Sequence, residues 1–90
     1  MMYPYITLNN DTEITHSEMK PDGRVKVYIE TPDAEDGFHS AVCWLPDYKW
    51  ESIEGYNESE MSYFKQLIQN NAHIIIELSR EGGILNAATA

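Results

Sequence analysis

The sequence predicts an α+β domain: a four-stranded antiparallel meander followed by two C-terminal helices packed on one face of the sheet, the second of which could also be a strand. Three observations lead there. Turn residues punctuate the first half at short intervals, as hairpins require. Between them, β-branched and aromatic residues alternate with polar ones. From Asn57 the apolar spacing lengthens to i, i+3, i+6, i+7 across Met61, Phe64, Leu67 and Ile68, the stripe of an amphipathic helix.

Tyr3 to Leu8, aromatic and β-branched, reads as the first strand. Asn9-Asn10-Asp11 tolerates left-handed backbone and forms the turn after it. Thr12 to Met19 is mostly polar and reads as a second strand at a sheet edge. Lys20-Pro21-Asp22-Gly23 is a tight turn, because Pro presets φ and Gly accepts a positive value. Arg24 to Thr31 is the clearest strand, with Val25, Val27 and Ile29 on one face and Lys26, Tyr28 and Glu30 on the other. After the acidic loop 32–37, Phe38 to Leu45 forms a fourth strand. It carries Phe38, Ser40, Val42 and Trp44 on one side and His39, Ala41, Cys43 and Leu45 on the other. Pro46 ends it, lacking the N–H that a ladder uses.

Residues 46–56 give mixed signals, with room for a short strand near Trp50–Ile53. Asn57 and Glu60 have the spacing of a capping box and open the first helix. Asn70-Asn71 interrupts the apolar stripe, and Asn71 could cap a second helix over 73–81 ending in Gly82-Gly83. Three consecutive isoleucines, Ile74 to Ile76, favour a strand for the same stretch. Ile84-Leu85 reads as an apolar pair docking back on the body, and residues 86–90 as a frayed end.

The helical stripe must cover one face of the sheet. The larger apolar set, Val25, Val27, Ile29, Phe38, Val42 and Trp44, is the expected inner face. That leaves Tyr28, Ala41, Cys43 and Leu45 on the other, more apolar than a solvated face needs. The N-terminal hairpin curling over these four, a homodimer contact through them, and simple exposure are the three readings.

Ninety residues make one small domain, residues 1–90. Fifteen acids against six bases give a net charge of −9. Thirteen of those acids and four of the bases lie in residues 11–60, so the whole net charge sits there. That balance argues against nucleic acid, whose phosphates call for clustered Lys and Arg. No apolar run approaches the roughly 18 residues of a membrane span. The single cysteine allows no internal disulfide, and the N-terminus lacks a signal peptide's basic and apolar regions, so the expected compartment is the cytoplasm.

No catalytic, cofactor-binding or metal-binding residues are expected. The loop Asp33-Ala34-Glu35-Asp36-Gly37 misses the alternating carboxylates of a calcium loop. His16, His39 and His73 fall in separate elements without ligand spacing. Cys43 is about 13 Å along its strand from His39, too far for a nucleophile–base pair. Aromatics do cluster between 44 and 56, among acids. Tyr48, Trp50, Glu51, Glu54 and Tyr56 therefore form the expected partner-binding surface, in the pattern of an interface hot spot.

The leading expectation is a non-enzymatic interaction module that binds a protein partner, a basic one by charge, in an inhibitor-, antitoxin- or immunity-like role. One alternative is a small-ligand or catalytic site between the fourth strand and residues 46–56. Another is a structural homodimer without ligand.

Overall fold

In a computed structural model the described residues are 2–8, 11–35 and 37–81. They form five strands and one helix: β1 (Met2–Thr7), β2 (Glu13–Ser17), β3 (Val25–Asp33), β4 (Gly37–Leu45), β5 (Lys49–Glu54) and α1 (Glu58–Arg80). The α+β class and the antiparallel meander are as expected, with a fifth strand and one helix in place of two. The strands pair in chain order, β1-β2-β3-β4-β5, each antiparallel to the next. β2 therefore lies inside the sheet rather than at an edge, and Ile14 and His16 on it are buried.

Local chemistry explains the corners. Asp11 takes φ 64°, the left-handed region expected of that turn; Asn9 and Asn10 lie outside the described residues. Gly23, at φ 84°, closes the second turn with its N–H donating to the Lys20 carbonyl at 2.9 Å. At the β3–β4 corner Asp33 pairs with Gly37, and the Asp33 carboxylate accepts from the Glu35 N–H at 2.8 Å.

That corner sets the register. It places Val25 opposite Leu45, Val27 opposite Cys43 and Ile29 opposite Ala41. Facing residues of an antiparallel pair share one side of the sheet. The inner face thus carries Val25, Val27 and Ile29 as expected, but with Ala41, Cys43 and Leu45, all fully buried. Phe38, Val42 and Trp44 lie on the outer face with Tyr28. The expected assignment of β4's two sides is reversed: both sides hold three apolar residues, and pairing geometry rather than side-chain size decides between them.

α1 crosses the inner face as one helix of 23 residues, about 34 Å long. The capping box forms: Asn57 Oδ1 accepts from the Glu60 N–H at 2.8 Å, and Glu60 Oε1 from the Asn57 N–H at 3.0 Å. Met61, Phe64, Ile68, Ala72, Ile75 and Ser79 form its buried stripe. The helix continues through Asn70-Asn71. Asn71 donates to the Leu67 carbonyl one turn back at 2.8 Å and accepts from the Tyr5 hydroxyl at 2.7 Å. A residue expected to cap a second helix instead ties the middle of a single one to β1. Residues 73–80 are helical, and Glu81 caps the end with its N–H donating to the Leu78 carbonyl. The expected Gly82-Gly83 cap, the Ile84-Leu85 docking and the frayed end lie outside the described residues.

Candidate functional site

With α1 on the inner face, no described helix covers the outer one. Its middle rows are set by pairing: Thr15, Tyr28, Val42 and Glu51 side by side, flanked by Lys26, Trp44 and Lys49 in one direction and by Glu13, Glu30, Ser40 and Glu54 in the other. Val42 is only 6% exposed although it points away from α1. Tyr28 and Trp44 are half-buried, while Glu13, Glu51 and Glu54 are exposed. Phe38, on the same face beyond Ser40, is 58% exposed.

The side chains of this face are held in place. The Trp44 indole Nε1–H donates to Glu51 at 2.8 Å. The Arg24 guanidinium sits 4.5 Å above the Trp44 ring, with Nε 3.3 Å from the Asp47 carboxylate. The Tyr28 hydroxyl donates to Glu30 at 3.0 Å. Burial, then the Glu30 hydrogen bond and the charges of Glu30 and Glu54, hold the Tyr28 phenol above its ordinary value. The charges that raise the Tyr28 phenol are thus the Glu30 and Glu54 carboxylates, while Lys26, Lys49 and Arg24 gather around Trp44.

The sequence-predicted binding residues do not converge. Glu51 and Glu54 lie on the outer face. Trp50 pairs with Cys43 and packs against the core on the inner face. Tyr56 packs there too, its ring 4.8 Å from that of Phe64 and 5.7 Å from that of His39. Its hydroxyl lies 2.7 Å from Thr31 Oγ1 and donates to the His39 carbonyl at 3.2 Å. Tyr48 occupies the β4–β5 turn at φ 56°, exposed. The expected dimer residues separate as well: Ala41, Cys43 and Leu45 are sealed beneath α1, and Tyr28 alone is on the open side. Those four therefore lie on opposite faces of the sheet and form no single patch.

Trp44 and Tyr28, the two aromatics at the middle of the outer face, are not among the expected partner-binding residues. The signal was present, since Tyr28 alternates with Val27 and Ile29 and Trp44 with Cys43 and Leu45, but for Trp44 it depended on knowing which side of β4 faces inward.

Groups with catalytic potential sit elsewhere. Burial pushes the Cys43 thiol up to about 12, so it is protonated at neutral pH and shielded from substrates. His39 Nε2 is 3.2 Å from the Asp33 carboxylate, at the far end of the inner face near Tyr56. Gly55, at φ 87°, lets the chain leave β5 against the His39 ring, where a Cβ would overlap it. Two surface hollows, of about 560 and 670 Å³, flank the first turns of α1: one against Ile6, Leu8 and Tyr63, the other against Tyr56, Met61 and Lys65. Among the described residues no group of three or more His, Cys, Asp or Glu side chains could hold a metal ion, and no helix is long and apolar enough to cross a membrane.

Comparison with protein families, with curated proteins and with solved structures finds no match for the chain.

Proposed function

We propose that the protein is a non-enzymatic interaction module that binds a basic protein partner through the outer face of its sheet. One observation carries this reading: Tyr28 and Trp44 stand on the uncovered face, with Glu13, Glu30 and Glu54 on one side of the Tyr28 row and Glu51 hydrogen-bonded to Trp44, whose own row holds Lys26 and Lys49 with Arg24 over its ring. Aromatic anchors with few rotatable bonds suit the centre of an interface, and the surrounding charges favour cationic partners and speed encounter. The partner-binding set becomes Tyr28, Trp44, Glu51 and Glu54, with Tyr48 at the rim. An inhibitor-, antitoxin- or immunity-like role in the cytoplasm fits a small acidic module that occupies a basic surface.

The test is calorimetric titration with the basic protein retained from host lysate on immobilised full-length chain and eluted by salt. The double charge reversal Glu51→Lys/Glu54→Lys is expected to weaken binding about tenfold or more, and raising salt to about 0.5 M to weaken the wild-type complex. Retention of no basic protein, or equal affinity of wild type and variant, contradicts the reading.

A further inference from the structure

The outer face is charged differently at its two ends. The row through Ser40 carries Glu13, Glu30 and Glu54, three carboxylates with no base among them. The row through Trp44 carries Lys26 and Lys49, one on each side of the indole, and Arg24 lies over its ring. Three of the chain's six Lys and Arg residues thus meet at one aromatic side chain. Arg24 is held by Asp47, and Glu51 accepts the indole N–H. The Trp44 end therefore sets three bases against two acids. Among the described residues neither Lys26 nor Lys49 is in an ion pair. Lys26 is half-buried and Lys49 exposed. Two strand spacings, about 10 Å, separate the two stems. The carboxylate row lies about 13 Å away along β3, from Lys26 to Glu30.

Building on the basic-partner reading above, we infer that the face takes its partner in one orientation: cationic side chains of the partner lie over the Glu13–Glu30–Glu54 row, and an acidic side chain of the partner lies over Trp44 between Lys26 and Lys49. Covering Trp44 takes water from the two ammonium groups beside it, and a charge that loses water without gaining a partner is costly. A uniformly basic surface would set cations against Lys26 and Lys49. The same partner turned end for end would set like charge on like at both ends, so the polarity of the face selects one orientation. The 13 Å between the rows fixes the spacing that the partner presents. Its acid and its bases stand about four residues apart in an extended segment, or about eight to nine apart along a helix. A second copy turned end for end meets the same polarity, but two chains of −9 each repel, and a basic partner does not.

Calorimetric titration of the full chain with the salt-eluted basic protein decides by the sign of one effect. Lys26→Glu/Lys49→Glu takes the chain from −9 to −13, two units at each position. If net charge were the whole attraction, this variant would bind the basic protein more tightly. The oriented contact predicts binding about tenfold weaker or more, with a smaller loss for Lys26→Gln/Lys49→Gln, and circular dichroism unchanged in both. Lys49→Glu alone, exposed on the edge strand, should weaken binding in the same direction and serves if a double variant unfolds. Glu51→Lys/Glu54→Lys separates the two proposals. If it weakens binding while the lysine variants tighten binding or leave it unchanged, the orientation is overturned and the basic-partner reading stands. If it has no effect, or no basic protein is retained, both fall. A sedimentation mass of twice 10.3 kDa that the lysine variants halve assigns the Trp44 end to a second copy and also overturns the inference.

Discussion

Cys43 is the residue whose chemistry burial changes most. Fully buried beneath α1, its thiol is pushed from 9.0 up to about 12. A group whose folded pKa lies above its unfolded value supports the fold below the unfolded pKa and loses that contribution as pH rises toward the folded one. For Cys43 the window opens near pH 9.0 and closes near about 12. Tyr5, Tyr28 and Tyr56, each raised first by burial, act in the same direction from their ordinary 10.0 upward. Stability toward urea, followed by circular dichroism, should therefore hold to about pH 9 and then fall, and Cys43→Ala should flatten the first part of that fall. An equal decline in wild type and variant would assign it to the tyrosines alone. The sequence alone shows that Cys43 has no nearby base. That it is sealed follows only once its side of β4 is known.

At the scale of elements, the strands were largely legible because each lies between turn residues with a definite backbone demand, such as Gly23 and the Asn9–Asp11 corner. The side of β4 that faces the core was not, because Phe38, Val42 and Trp44 rival Ala41, Cys43 and Leu45 in apolarity. The Asp33–Gly37 corner decides it: three intervening residues with Gly at positive φ fix Ile29 opposite Ala41. Reading that loop as hairpin chemistry rather than as a solvated acidic stretch would have recovered the face. α1 shows the opposite case, in which tertiary contact overrides local preference. Asn70-Asn71 looks like an interruption until Asn71 finds Tyr5. If α1 is one helix seated through Ile75, Ile75→Ala should cost about 2–5 kcal/mol, while exposed Asn70→Ala stays within about 0.5 kcal/mol, both measured by urea unfolding of dilute protein. Similar costs at the two positions would contradict the seating.

Across the whole molecule, one helix on one side of a five-stranded sheet divides the surface by chemistry. The outer face holds Tyr28 beside Glu30 and Trp44 between Glu51 and the bases Lys26, Lys49 and Arg24, whereas the hollow between β1 and α1 is lined by Ile6, Leu8, Tyr63 and Phe64 together with Glu60. The predicted acidic-aromatic surface was half legible. Glu51 is on it because it alternates with Trp50, which for the same reason faces the other way, and Glu54 is on it only because β5 shifts register at Ser52, φ 53°, a bulge that strict alternation does not foresee. The most direct measurement is an amide chemical-shift footprint of the basic partner on isotope-labelled protein. The account predicts perturbations along Thr15, Tyr28, Val42, Trp44 and Glu51, with Tyr63, Leu67 and Ile74 unmoved; shifts centred on α1, with the outer-face rows silent, would contradict it.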